Sequence, residues 1–148
     1  MRLVVQRVTR ASVTADGHLL GAIGTGAVVL VGIATGDDAA TVDRLADRVA
    51  ELRYFEDEEG RTNRSIADVH GALLVVSQFT LLADARRGRR PSFSAAADTA
   101  LARPLVERFV ERLREHGVHV ETGSFAAQMS VELVNDGPFT LVMDAAPQ

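Results

Sequence analysis

Residues 27–52 read AVVLVGIATGDDAATVDRLADRVAEL, and the architecture follows from this stretch. Ala27 to Ala34 form an unbroken apolar run, which predicts a strand buried on both faces. Asp37 and Asp38 then precede a helix in which Val42, Leu45, Ala46, Val49 and Leu52 recur at helical spacing. A fully buried strand followed at once by an amphipathic helix starts a layer of helix packed on sheet.

Working outward, Leu3, Val5, Val8, Ala11 and Val13 predict an extended N-terminal strand with a break near Gln6-Arg7. The Asp16-Gly17 turn joins it as a hairpin to a short strand over His18 to Ile23. Downstream of the helix comes a turn at Glu58-Glu59-Gly60, then a buried strand from Ala72 to Leu82. Ser94 to His116 reads as mostly helical, with Leu105, Val106, Phe109, Val110 and Leu113 as its inner stripe. Pro104 is expected to start the second half of that helix and Gly117 to cap it. Three strands are expected to close the chain: Val118 to Glu121, Met129 to Val134 and Phe139 to Met143. The order ββ-βα-βα-βββ mixes hairpins with crossovers and predicts an α/β fold with mixed and antiparallel sheet and two main helices on one side. No repeat, linker or low-complexity tract divides the 148 residues, so one domain over 1–148 is expected.

Composition excludes several chemistries. The chain has no cysteine and no lysine, so thiolate nucleophiles, disulfides, Schiff-base lysines and P-loop lysines are ruled out. Met1 to Val13 mixes Arg2, Arg7 and Arg10 with isolated apolar residues, unlike a signal peptide, and no apolar run reaches membrane-spanning length. A soluble cytoplasmic protein without a membrane partner is expected. The net charge of -4 argues against general nucleic-acid affinity. The charge is uneven, however: Arg86, Arg87, Arg89 and Arg90 crowd one loop of glycine and proline. Forked, permanently charged guanidinium groups suit phosphate. A solvated basic loop balanced by the acidic Glu56-Asp57-Glu58-Glu59 turn explains the same residues.

Two strand ends carry unusual chemistry. Ser77-Gln78-Phe79-Thr80 interrupts the apolar run that begins at Leu73, and polar groups in a core cost about 1–3 kcal/mol each unless they are hydrogen-bonded. Strand alternation sends Ser77 and Phe79 to one face, Gln78 and Thr80 to the other. Either the strand emerges into water there, or the polar residues form the lip of a cleft. Near the C-terminus, Val131-Glu132-Leu133-Val134-Asn135-Asp136-Gly137-Pro138-Phe139-Thr140 predicts a strand that stops at Gly137-Pro138 and resumes after a tight reversal. An ordinary Asx-type turn accounts for that pattern. So does a turn whose main chain is used for recognition, because glycine before proline makes a cis bond more accessible.

SQFTL at 77–81 together with NDGPFT at 135–140 resembles the paired signature of the D-aminoacyl-tRNA deacylases. MRLVVQRVTRASV at 1–13, YFEDEEGRTNRS at 54–65, RRPSFS at 89–94 and GSFAAQM at 123–129 match the family pattern in order, so the resemblance spans essentially the whole chain. Departures are small: Arg61-Thr62 replaces a Lys-Met step, Leu105 an aromatic, and Ala126-Ala127 a step containing glycine. The resemblance implies a compact, barrel-like, three-layer homodimer. It implies hydrolysis of the ester joining a D-amino acid, or glycine on tRNA(Ala), to the 3′ end of tRNA, with neither cofactor nor metal and no DNA partner. It further implies that Gly137 and Pro138 form a cis pair inserted into the partner subunit's active site, where they exclude L side chains by steric clash.

In that reading, main-chain N–H groups around Gln78 and Phe79 stabilise the oxyanion, and Phe79 packs near the terminal adenosine. Thr80 is either a nucleophile or an orienting group. None of the four histidines, His18, His70, His116 and His119, lies in either signature to activate it, so orientation ranks first. Arg7 is expected to hold the Gly137-Pro138 segment, Met129 to line the pocket and Ser77 to contact the α-amino group or the cleft backbone. The Arg86–Arg90 loop is expected to meet the tRNA acceptor end. Two other classes compete. A non-catalytic RNA-binding module would use the arginine loop and stack bases on Phe79 or Phe93. A general serine or threonine hydrolase lacks a Gly-x-Ser-x-Gly elbow, and the His116/His119 pair lacks a metal-site motif.

Overall fold

The computed structural model describes residues 1–86 and 88–145. Its elements are β1 (Arg2–Ala15), β2 (His18–Ile23), β3 (Gly26–Gly32), α1 (Ala39–Glu51), β4 (Phe55–Glu56), β5 (Thr62–Arg64), β6 (Ala72–Ser77), α2 (Thr99–Glu115), β7 (His119–Thr122) and β8 (Met129–Asp144). The long first strand is the spine. Along one edge, Arg2 to Val8 pair antiparallel with β3 and Ala11 to Ala15 with β2; the other edge pairs with β8 for nearly its full length. β3, β6 and β7 continue as parallel neighbours. β2 then comes round beside β7, where a Cβ on Gly21 would lie 3.1 Å from the Glu121 Cβ. The sheet is thus a nearly closed barrel of mixed strands, and the separate β4–β5 hairpin was not anticipated.

Alternation along the central strands explains the layering. Val29, Val31, Leu73 and Val75 face a core shared with α1 and α2, whereas Val28, Leu74 and Val76 face Val8, Ala11, Val13 and Ile23 inside the barrel. Both helices lie on one side. Their outer faces are tied by Arg108 to Asp43 and by Arg112 to Asp47. The Asp38 carboxylate caps α1 by accepting the Thr41 N–H at 2.8 Å.

Four sequence expectations need correction. The helix expected from Ser94 begins at Thr99, because the Asp98 side chain caps it and Ala97 N–H still donates to the Ile33 carbonyl beside β3. Pro104 does not divide that helix but lies inside it. The strand expected to reach Leu82 ends at Ser77 and turns into a single 3-10 turn, Phe79–Leu82. Most consequentially, the last two strands are one. β8 pairs with β1 on both sides of Gly137-Pro138, with Gln6 opposite Thr140 and Val8 opposite Asn135. Asp136 to Phe139 therefore bulge out opposite Arg7 alone. Proline has no N–H for the ladder, and the long flanking pairings carry the strand past it.

Candidate active site

Where β6 stops, the backbone sets up a small set of groups. Gln78 N–H donates to the Val31 carbonyl at 2.7 Å, which fastens the end of β6 to β3. Gly32 allows this approach, since a Cβ there would stand 3.0 Å from the Gln78 carbonyl oxygen and 3.2 Å from the Leu81 Cβ. The chain then tightens into the 3-10 turn, with Leu81 N–H donating to Gln78. The opening N–H groups of such a turn have no intrahelical acceptor. Those of Phe79 and Thr80 have no acceptor among the described residues. With its own N–H committed to Val31, Gln78 is not a main-chain oxyanion donor, which moves that expectation one residue on, to Phe79 and Thr80.

A cleft of about 410 Å³ opens beside this turn. Ser77, Gln78, Phe79 and Met129 line it, as do Val106 from α2, Phe125, Ala126 and Val131 from β8. Among the described residues, no charged residue and no histidine contributes to its wall. Strand alternation across Ser77 to Thr80 does not hold, because the turn brings Ser77, Gln78 and Phe79 to one cavity. Thr80 is exposed, outside the cleft lining, and its hydroxyl oxygen accepts a hydrogen bond from the Gln78 side-chain amide. Phe79 is 57% exposed and meets Phe93 edge-to-face at 5.2 Å. Phe93 is held there by the Asp84–Ser92 bridge. Phe125, Ala126 and Val106 were not singled out from the sequence. Ala126 adopts a left-handed φ of 63°, where glycine has no steric cost, and the available signal was the Ala126-Ala127 departure inside GSFAAQM.

The Gly137-Pro138 bond is cis, and both residues are exposed and absent from the lining of this chain's cleft. Arg7 anchors the bulge from below. Only 4% exposed, it donates from Nε to the Asp136 carbonyl at 3.2 Å, sits 3.0 Å from the Asp136 carboxylate, and donates from Nη1 to the Tyr54 carbonyl at 2.6 Å. Its guanidinium carbon lies 4.3 Å from the Phe139 ring centroid. Asn135 returns the contact by donating to the Arg7 carbonyl at 2.9 Å. The expected anchoring arginine therefore acts on Asp136, the residue before the glycine.

The arginine loop is only partly available. Arg86 forks onto Asp84 at 2.9 and 2.8 Å, which holds the Asp84 carboxyl far below the usual carboxylate range. Arg89 and Arg90 are exposed, and Arg87 lies outside the described residues. His116 contacts Asp47 and His119 contacts Glu121, both away from the cleft. Among the described residues, no group of three or more histidine or carboxylate side chains is arranged to hold a metal ion.

The chain is similar to known proteins over nearly its whole length. A family described as D-Tyr-tRNA(Tyr) deacylase matches residues 4–144. The chain is 59% identical over 145 residues to the D-aminoacyl-tRNA deacylase of Symbiobacterium thermophilum, covering 98% of this chain and 96% of that protein. It is 60% identical over 146 residues to the protein of the same name from Thermomicrobium roseum, covering 99% and 95%. Among solved structures, the c-Myc DNA unwinding element binding protein superposes with a TM-score of 0.92 at 38% identity, covering 99% of this chain and 100% of the other. A probable eukaryotic D-amino acid tRNA deacylase shares the fold, with a TM-score of 0.85 at 15% identity over 96% and 97% of the two chains.

Proposed function

This chain belongs to the D-Tyr-tRNA(Tyr) deacylase family, and from that membership we propose how its cleft acts. The protein is an ester hydrolase that releases tRNA and a D-amino acid from D-aminoacyl-tRNA. The observation that carries the mechanism is a cleft whose wall has no basic side chain among the described residues, beside a turn with unpaired main-chain donors. An aminoacyl ester is already activated, and the neighbouring 2′-hydroxyl of the terminal adenosine assists its hydrolysis. What the protein must supply is position and a place for the negative charge of the tetrahedral intermediate.

In this reading the adenosine packs against Phe79, and Ser77 meets the α-amino group or the cleft backbone. Met129 closes one wall, and the N–H groups of Phe79 and Thr80 hold the oxyanion. Thr80 orients rather than attacks, because its hydroxyl oxygen accepts a hydrogen bond from the Gln78 amide and no base among the described residues is bonded to it. Arg89 and Arg90 meet the phosphates of the acceptor end.

The stereochemical filter comes from a second copy. Gly137 lies six residues beyond Val131 on β8 (131 to 137), roughly 20 Å along a strand, so it does not reach its own cleft. Among the described residues the outer edge of β8 has no strand partner, and β8 exposes Val131, Val134 and Val142, the last by 63%. An exposed apolar edge strand invites pairing. A copy docked on β8 would bring its Gly137-Pro138 bulge to a cleft whose wall includes Val131. The bulge would then occupy the place of an L side chain and leave D side chains and glycine free to enter, which extends the substrates to glycyl-tRNA(Ala).

Matched D- and L-aminoacyl-tRNA, incubated with the homogeneous protein, test this mechanism. We expect rapid release from the D ester and glycyl-tRNA(Ala), sparing of the L ester, and a dimer in sedimentation. Equal hydrolysis of the two enantiomers would remove the filter.

A further inference from the structure

A second groove opens off the cleft, and nothing above uses it. It encloses about 310 Å³ between α2 and the end of β7 and shares Ser77, Val106 and Phe125 with the first cavity. The two are successive compartments, with the Phe125 ring between them and the Arg103 guanidinium stacked 4.9 Å from its centroid. Arg103, Glu107 and Glu111 follow one another at four-residue spacing and so share a face of α2 that lines the groove. On another face of the same helix, Arg108 and Arg112 are paired with α1. Arg103, Glu107 and Glu111 pair with no charged group among the described residues.

We propose that this groove is the subsite for the nucleotide immediately upstream of the esterified adenosine, and that it takes a nucleobase carrying an exocyclic amine. The inference rests on the deacylase reading, since a nucleic-acid chain entering the cleft needs a contiguous compartment for its next residue. A volume of about 310 Å³ suits one such residue. Arg114 also lines the groove but donates to the Val120 carbonyl at 2.9 Å; the exposed carboxylates of Glu107 and Glu111 accept hydrogen bonds from an amino group, as acidic side chains do from cytosine N4. Arg103, at the rim between the compartments, is placed for the linking phosphate. The Phe125 ring stands between the two compartments and, with the Arg103 guanidinium over one face, leaves the other for a base to stack on. The 3′ end of tRNA supplies cytidine at this position.

The test uses the full-length protein with D-aminoacyl esters of CpA and UpA and of adenosine alone, together with the uncharged dinucleotides followed by NMR. Uracil presents an acceptor where cytosine presents the amine, so KM for the CpA ester should be roughly tenfold below that for UpA. Uncharged CpA should shift the Glu107, Glu111 and Gly123 amides. In the Glu107→Ala/Glu111→Ala variant the CpA-to-UpA ratio should fall toward one. Equal KM values for CpA and UpA in the wild type, or an unchanged ratio in the variant, would overturn the assignment. So would a variant that slows the adenosine ester as much as the CpA ester, because the groove would then serve the aminoacyl end. Selective CpA binding without hydrolysis of any D ester would instead sink the deacylase reading and leave the groove assigned.

Discussion

Arg7 and Asp136 are bound twice, main chain and side chain, at the four-residue bulge where the β1–β8 ladder is interrupted between Gln6 and Val8. The Arg7 Nε donates to the Asp136 carbonyl at 3.2 Å and lies 3.0 Å from its carboxylate. A buried arginine thus replaces the backbone hydrogen bonds that the bulge gives up, and it carries Gly137 and Pro138 outward on a fixed base.

Substituting Arg7 tests that base. Arg7→Lys keeps the charge but loses the fork that reaches Asp136 and the Tyr54 carbonyl together. We expect a loss of about 1–3 kcal/mol in urea denaturation. Discrimination between D- and L-aminoacyl-tRNA should fall more than D-ester hydrolysis itself. Unchanged discrimination in a destabilised variant would confine Arg7 to a structural role.

Thr80 separates an orienting group from a nucleophile. Its hydroxyl oxygen already accepts from the Gln78 amide. Thr80→Ala is expected to keep single-turnover D-ester hydrolysis within about tenfold of wild type, a loss near 1.4 kcal/mol. Near-total loss with Ala and recovery with Thr80→Ser would establish covalent catalysis instead.

The arginines of the 86–90 loop should differ in their effect on tRNA binding. Arg89→Ala or Arg90→Ala should each reduce the log-log salt slope of tRNA affinity by about 0.7–0.9. Arg86→Ala should reduce it less, because Arg86 is already engaged by Asp84. Identical slopes for all three variants and the wild type would remove the loop from the interface.

Asp47 supplies an acid-sensitive link between the helices. Arg112 and then His116 hydrogen-bond its carboxylate and bring its pKa down from 3.8 to about 2. A carboxyl depressed in the folded state contributes stability above its unfolded pKa and loses it as pH falls through the folded one. Relative to Asp47→Asn, the wild type should therefore lose stability between about pH 4 and pH 2. The pair is open to solvent, which limits the difference to about 1 kcal/mol or less. Parallel pH profiles of the urea midpoint would contradict it.

Gly26 tests the packing of β3 on β6. A Cβ there would collide with the Ala72 backbone, which cannot swing aside as a side chain can. Gly26→Ala should destabilise by about 1–3 kcal/mol or more, read as a lower thermal midpoint. The same change at Gly24, where a Cβ meets nothing within 4 Å, should be nearly neutral.

Local chemistry by itself determined the β3–α1 layer, the start of α1 after Asp37-Asp38, the inner stripes of both helices and the polar interruption after Val76. Each depends on periodicity or on neighbours within a few residues, which is why each could be read from the chain. The signatures around Ser77 and Gly137 were legible as residues but not as geometry. Only the tertiary structure decided that Gly137-Pro138 is a bulge within one strand. Proline signals a local break, and the pairing that overrides it comes from β1, more than a hundred residues away in sequence. Tertiary contacts likewise ended β6 at Ser77, where the hydrogen bond from Gln78 to Val31 turns the chain, and so chose which N–H groups stay free. The groove behind Phe125 also appears only on folding, because α2 and β7 make it from residues that are unremarkable one by one.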